Sequence, residues 1–263
     1  MYTFHPAYPT IEHEQAAQRL VEFFSQQPDV AAVILKCSCA RGKATRDSCL
    51  DICILLPAAI SIDRRFDLEH AWDEFHLTET VFKQLRQVGK YSHLDLDFHD
   101  GWFTPTDHEH HWTSGADSFE LNIANVLVYT AALWEQGDYF KQLKAQWLPY
   151  YDEALRQERL AMVRRYCLNN LDHIPLFVER GLYFQAFQRL YHAFGEFLQA
   201  LFISRRTYPI AYDKWIREQI EEILELPELY PHLPNLFEIQ HFESQEIARK
   251  ARELEQLFGL YIV

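Results

Sequence analysis

Residues 33–55 read VILKCSCARGKATRDSCLDICIL, and they give the clearest indication of the fold. It begins inside one short apolar run, VAAVIL at 30–35, and ends inside another, LDICILL at 50–56. Continuous apolar runs of this length, rich in β-branched residues, indicate strands that are buried on both faces. The polar residues between them are small and include a glycine, which indicates a turn. The stretch therefore predicts a strand, a turn and a second strand within a protein core.

The turn between these strands is positively charged. Its four cations are Lys36, Arg41, Lys43 and Arg46, and residues 30–46 contain no acid. The small side chain of Ser38 and the flexible backbone of Gly42 would let N–H groups approach a phosphate. Arg41 and Lys43 would add positive charge to that contact. The turn is thus a candidate phosphate-binding loop, and the alternative is a solvated basic loop.

Aspartates interrupt two of the predicted strands. The alternation of a strand places Cys49, Asp51 and Cys53 on one face. In a later strand, Asp95 and Asp97 share a face and alternate with leucines and a phenylalanine. A charged carboxylate inside an apolar strand lowers stability by several kcal/mol unless it has a hydrogen-bond partner, binds a metal or lies at the rim of the sheet. If the two strands are neighbours, three carboxylates converge; the alternative is a solvated face.

The pattern along the chain changes near residue 140. Before it we expect a helix between Thr10 and Pro28, a long helix at 63–88, and further strands at 91–99 and 126–133. After it the strand signal ends. A long amphipathic helix is expected at 152–179, with a break at Gly181 before a second helix, and shorter helices follow between prolines until a last one at 244–258. The sequence predicts an α+β protein: domain 1–145 with a mixed sheet and flanking helices, and domain 146–263 as a helical bundle.

Composition sets the class of protein. The chain has 263 residues, is 48% hydrophobic and carries a net charge of −13, so a packed core is expected and nonspecific nucleic-acid binding is disfavoured. The five cysteines are odd in number and four lie within residues 37–53, which favours a reducing, cytoplasmic location. We expect no signal peptide and no membrane span. Apolar faces on the bundle are compatible with a homodimer.

These motifs resemble those of the nucleotidyltransferase fold of the DNA polymerase β superfamily, in particular its bacterial branch of antibiotic adenylyltransferases. Members typically carry a Gly-Ser pair after the first strand, then Ala-Arg-Gly, then Ser-Asp-hydrophobic-Asp at the second strand. The corresponding residues here are Cys37-Ser38, then Ala40-Arg41-Gly42, then Ser48-Cys49-Leu50-Asp51. A third family carboxylate comes from a later strand, where Asp95 matches best and Asp97 is the alternative.

The resemblance implies a function and a set of roles. It implies transfer of a nucleotide monophosphate from ATP or another nucleoside triphosphate to a hydroxyl of a small molecule, with Mg²⁺ as the cofactor. Asp51 and Asp95 would be the catalytic metal ligands, with Asp97 as a further candidate. Ser38, Arg41, Gly42 and Lys43 would bind the nucleotide phosphates.

Two positions depart from the family pattern. Cys49 replaces the first metal carboxylate with a soft ligand that suits Mg²⁺ poorly. Cys37 replaces the glycine, and its Cβ restricts the backbone where phosphate would approach. Asp47 could replace the missing acid if the strand began with a bulge. A catalytically silent nucleotide-binding or regulatory protein on the same fold is therefore the alternative function.

Other interpretations of the same residues are weaker. The spacing of Cys37, Cys39, Cys49 and Cys53 differs from that of paired zinc knuckles, and small buried cysteines on strands explain it more simply. The histidines at 108, 110 and 111 are read as part of an exposed polar loop.

Overall fold

The computed structural model describes residues 4–105 and 115–262, so the histidine cluster at 108–111 lies outside the described residues. These residues form two compact units. The sheet unit contains residues 4–104 and 123–147. The helical unit contains residues 115–122 and 148–262. The α+β class is confirmed: a small mixed sheet has flanking helices, and helices make up the C-terminal part of the chain.

The sheet has four strands in the order β3-β2-β1-β4. They are β1 (Ala32–Leu35), β2 (Leu50–Leu55), β3 (Leu94–His99) and β4 (Ala131–Glu135). β1 is antiparallel to both β2 and β4, whereas β2 and β3 are parallel. The two central strands are almost wholly buried, as their apolar sequences predict. In β3, by contrast, Asp95 and Asp97 are exposed and alternate with half-buried apolar residues.

Helices in the sheet unit supply the rest of its core. They are α1 (Ile11–Phe24), the short α2 (Cys37–Ala40), α3 (Ile62–Thr78), α4 (Thr80–Val88) and α6 (Tyr139–Trp147). α1 buries Leu20 and Phe24 at helical spacing, and Phe24 packs 5.0 Å from Trp72 of α3, measured between ring centroids. Phe82 and Leu85 of α4 join the same cluster. The connection between β1 and β2, predicted as a turn at 36–46, includes a single turn of helix, α2.

Two predicted elements differ from the structure. The helix expected at 63–88 is divided at Glu79, whose backbone is extended and whose carboxylate accepts two hydrogen bonds from Arg19 of α1. The strand expected at 126–133 begins later, at Ala131. The residues before it form a short α5 (Phe119–Ile123) that continues as a π-helix, Ala124–Val128. A short apolar run does not distinguish a buried helix from a strand, which explains this error.

The helical unit is built on two long helices, α7 (Glu153–Glu179) and α8 (Tyr183–Ser204), which pack along each other. Gly181, with φ +71°, lies in the short connection between them and confirms the predicted break. A π-helix at Glu218–Ile223 and the short α9 (His232–Asn235) follow, and α10 (Glu246–Tyr261) packs on both long helices. No helix of the described residues is both long enough and apolar enough to cross a bilayer.

The units differ from the predicted domains 1–145 and 146–263 in one segment. Residues 115–122 precede the predicted boundary but pack with the C-terminal helices. Arg159 of α7 explains this, because its guanidinium donates to both oxygens of Asp117 at 2.8 Å and to Glu120 at 2.6 Å. All three side chains are at most 2% exposed. A buried cation of this kind requires its carboxylates, and these are supplied from outside the C-terminal segment.

Candidate functional site

The parallel pairing of β2 and β3 brings two of the predicted site residues together. Asp51 and Asp95 are direct register partners, so their side chains leave the same face of the sheet side by side. Cys49 lies just before β2, on the same face by alternation. One ligand atom from each of Cys49, Asp51 and Asp95 lies within 4.8 Å of the other two. This three-residue group, called the acidic cluster below, is the candidate site.

Hydrogen bonds order the acidic cluster. The Cys49 thiol donates to Oδ2 of Asp51 at 3.2 Å. Burial, together with the negative charges of Asp51 and Asp95, raises the pKa of Cys49 well above that of an ordinary thiol. The thiol is therefore protonated at neutral pH in the metal-free protein. Directly before β3, Nε2 of His93 lies 3.0 Å from Oδ1 of Asp95.

Asp97, the alternative third carboxylate, is engaged elsewhere. Its register partner on β2 is Cys53, which is fully buried. The two oxygens of Asp97 accept hydrogen bonds from Nζ of Lys36 at 2.6 and 2.7 Å. Burial alone would lower the pKa of Lys36, but the ion pair with Asp97 outweighs it and raises that pKa. The structure thus places Asp97 in an ion pair outside the acidic cluster.

The candidate phosphate loop is joined to the same end of β2. The backbone N–H of Lys36 donates to the carbonyl of Asp51 at 2.9 Å, and the Cys39 thiol contacts the carbonyl of Cys49 at 3.8 Å. Ser38, within α2, is 8% exposed, and its carbonyl accepts the N–H of Lys43 at 2.9 Å. The predicted phosphate-binding loop therefore begins beside the backbone of Asp51, one of the two aspartates predicted to bind metal.

The loop's cations differ in how accessible they are. Arg41 is 3% exposed, so its guanidinium is directed into the protein, whereas Lys43 is exposed. Gly42 has φ +70°, and a Cβ at this position would lie 2.5 Å from the carbonyl oxygen of His5. Glycine is thus required at 42 both by conformation and by space. Lys43 is thus exposed to solvent, as is Arg46, whose Nε donates to the carbonyl of Val88 at 2.7 Å.

The departures from the family pattern have structural counterparts. Cys37, at the position of the family glycine, has φ 54°, in the left-handed region that glycine tolerates best. Cys37 therefore adopts the left-handed backbone conformation that suits glycine, although it carries a side chain. The suggested substitute acid, Asp47, does not join the cluster: its Oδ1 accepts the N–H of Lys90 at 2.9 Å.

Sequence reasoning missed two charged contacts at the site. The sequence pattern marks Lys36 only as part of a positive patch and assigns no role to His93. His93 could have been found, because it shares strand parity with Asp95 and Asp97. The bond between Lys36 and Asp97 has no such signal. It joins residues 61 positions apart, one directly after β1 and the other on β3, and β2 lies between those two strands.

No protein-family model matches this chain, and no curated protein matches it either. Among solved structures, the chain is similar to a nucleotidyltransferase-like protein from Exiguobacterium sibiricum 255-15, with 15% sequence identity and a TM-score of 0.45. The alignment covers 94% of this chain and 74% of that one. A likeness at this identity and TM-score does not assign an activity, or a branch of a superfamily, to this chain.

Proposed function

We propose that this chain is a nucleotidyltransferase-like protein that binds a nucleoside triphosphate and a divalent cation at the acidic cluster. Its reaction would transfer a nucleotide monophosphate to a hydroxyl group of a small molecule. The observation that carries the proposal is the register pairing of Asp51 with Asp95. The 37–43 loop begins beside this pair, because the N–H of Lys36 donates to the carbonyl of Asp51. The motif resemblance to antibiotic adenylyltransferases motivates the small-molecule acceptor.

The donor atoms of the cluster fit one Mg²⁺ ion in part. Mg²⁺ prefers oxygen ligands and usually takes one or two carboxylates, with waters and substrate phosphates completing its shell. Asp51 and Asp95 supply two such carboxylates, whereas the thiol of Cys49 supplies no oxygen. When bound, the ion would neutralise triphosphate charge and polarise the reacting phosphate. Asp51 and Asp95 would hold it.

The remaining residues have roles that follow from their exposure and contacts. Ser38 and the backbone of the loop would contact phosphate oxygens, and exposed Lys43 would contribute charge. Arg41, being buried, would support the loop from within rather than contact the nucleotide. The ion pair between Lys36 and Asp97 would fix the start of the loop against β3.

Calorimetry tests this proposal directly. ATP should bind in the presence of Mg²⁺, and Asp51→Asn and Asp95→Asn should each weaken that binding by roughly tenfold or more. Asp67→Asn is the matched control, because it neutralises an exposed carboxylate of α3 outside the cluster. Pyrophosphate release with candidate acceptors then reports transfer. ATP binding that is unchanged by EDTA and by both cluster variants would contradict the proposal.

A second candidate function is a silent nucleotide-binding or regulatory protein on the same fold. The bond from the Cys49 thiol to Asp51 favours it, since a neutral thiol stands where a metal carboxylate would be needed. Cys49→Asp separates the two candidates. If the wild-type protein binds ATP without turnover and only the variant releases pyrophosphate, the silent function is correct. Turnover by the wild-type protein that is lost in Asp51→Asn would exclude it.

A further inference from the structure

The sheet has an open edge along β3. In the part of the chain that the structure describes, β3 is an outermost strand and pairs with β2 alone. The carbonyls of His93 and His99 accept backbone hydrogen bonds from the two ends of β2, each at 2.8 Å. Because backbone groups alternate in direction along a parallel strand, the N–H and C=O groups of Leu94, Leu96 and Phe98 point away from β2. These three residues are called the open edge below.

A groove of about 530 Å³ lies between the open edge and α3. Its lining includes all three residues of the open edge and Trp72, which is 5% exposed. α3 also contributes Arg65, Glu69, Asp73 and His76, which recur at helical spacing and share one face. From Arg65 to His76 the helix rises by roughly 16 Å, and the open edge extends over roughly 13 Å. The groove therefore has room for an extended segment of about four or five residues.

We propose that an extended peptide segment with alternating apolar and basic residues binds in this groove by adding a strand to the open edge. Its backbone would pair with the open edge, its apolar side chains would pack towards Trp72, and its lysine or arginine side chains would face Asp95 and Asp97. Strand addition of this kind takes affinity from main-chain hydrogen bonds and specificity from alternate side chains. The inference is independent of the proposed function, because peptide binding is measured without nucleotide or metal.

The open edge lacks the features that commonly prevent strand addition. Natural edge strands are often blocked by proline, by lysine or by a bulge. β3 contains neither proline nor lysine, and its register with β2 runs without a shift from Leu94 to His99. The apolar side chains of the open edge are only half-buried, so an added strand would also cover apolar surface. Unpaired backbone groups beside a half-covered apolar surface favour an extended peptide as the occupant.

The charges around the groove decide which peptide fits. Glu69 is paired with Arg65 at 2.8 Å, whereas Asp73 is exposed and has no ion pair within residues 4–105 and 115–262. Asp95 and Asp97 are exposed on the other face of β3. Like charges directly opposite each other on neighbouring strands are destabilising, so these aspartates would repel a second copy of β3. A segment with lysine or arginine at those positions forms pairs of opposite charge instead.

Hydrogen exchange at single amides, measured by NMR, is the first test. The probe is the acetylated and amidated hexapeptide Lys-Val-Lys-Val-Lys-Val, and Glu-Val-Glu-Val-Glu-Val is its charge control. In the peptide-free protein, the amides of Asp95 and Asp97, which face β2, should exchange more slowly than those of the open edge. The lysine peptide at about ten times its dissociation constant should slow exchange at the open edge roughly tenfold. Unchanged exchange there, or equal affinity for the glutamate peptide, would overturn the proposal.

N-methylated peptides test the backbone pairing without any change to the protein. Alternate amides of a strand point to the same side, so methylation of all valine amides or of all lysine amides removes one set of N–H groups. One of the two methylated peptides should lose affinity by roughly tenfold or more, because several hydrogen bonds are lost, and the other should bind like the parent peptide. Equal affinities of the two methylated peptides would refute strand addition.

Protein variants test the other side of the interface. Asp73→Asn should weaken binding of the lysine peptide by about two- to fivefold, whereas Asp67→Asn, on the opposite face of α3, should not. Leu96→Pro removes an outward N–H, which an edge strand tolerates, and should weaken binding by roughly fivefold or more. Circular dichroism checks that each variant is folded. A dimer that Leu96→Pro dissociates, with no binding of the lysine peptide, would show that the occupant is a second copy and that the proposal is wrong.

Discussion

The substitution Cys49→Asp gives the sharpest test of the cluster geometry, because it adds a third carboxylate beside Asp51 and Asp95. Cys49→Asn is the matched control, since it has nearly the same shape and no charge. In the folded protein the new carboxylate would lie about as far from its two neighbours as the present donor atoms do, within 4.8 Å. In the unfolded chain these charges separate, so the repulsion acts on the folded state.

The magnitude follows from Coulomb's law. Two unit charges about 4.8 Å apart repel by roughly 1 kcal/mol in water and by roughly 3 kcal/mol at an effective dielectric constant near 20. Asp95 is half exposed and Asp51 is partly exposed, so the lower value applies. The new carboxylate forms two such pairs. In EDTA, the free energy of unfolding of Cys49→Asp should therefore be about 2 kcal/mol lower than that of Cys49→Asn. Lowering the pH should close this gap as the carboxylates take up protons.

Urea unfolding at neutral pH measures both the penalty and its relief. Millimolar Mg²⁺ should restore the stability of Cys49→Asp, because a cation that binds only the folded state at about 100 times its dissociation constant adds roughly 2.7 kcal/mol. Cys49→Asn should respond much less. If the two variants unfold at the same urea concentration in EDTA, and Mg²⁺ affects them equally, the three positions do not converge and the reasoning on the site is wrong.

Three further predictions concern stability and are each checked by urea unfolding. Arg159→Met should lower the free energy of unfolding by about 3–5 kcal/mol, because it leaves two buried carboxylates without their cation. Arg164→Met, on the exposed face of the same helix, should lower it by at most about 1 kcal/mol. Burial raises the pKa of Glu196 to about 8, so the folded state holds this proton longer than the unfolded chain does. Stability should therefore fall as pH rises from about 4.5 towards 8, and Glu196→Gln should remove most of that fall. Cys37→Gly should raise stability by roughly 0.5–1 kcal/mol by relieving the left-handed backbone, whereas Cys37→Ala should not.

The local parts of the fold could be predicted because they depend on nearby residues. The two central strands follow from their apolar runs, and the break between α7 and α8 follows from Gly181. The alternation of acids on β3 also follows from its sequence. Each of these signals lies within one element, where the period of the backbone determines which residues share a face.

The parts that failed depend on residues far apart in the chain. Glu79 ends α3 in contact with Arg19, 60 residues earlier, and nothing local marks that break. Residues 115–122 belong to the helical unit because Arg159 binds their carboxylates. The positive φ of Cys37 is likewise invisible in the sequence, since cysteine is not a residue that indicates a left-handed turn.

The pairing of Asp51 with Asp95 is itself informative about function. Like charges directly opposite each other on neighbouring strands destabilise a sheet, so packing alone gives no reason for two aspartates in register. The next acid on β3 shows the contrast, because Asp97 faces a buried cysteine and is neutralised by Lys36. On β3, Asp97 thus stabilises the structure through an ion pair with Lys36. Asp95 instead adds a second negative charge to the acidic cluster, beside the neutral thiol of Cys49. Two negative charges match the charge of one divalent cation, and local departures from stabilising patterns are expected where a site is built.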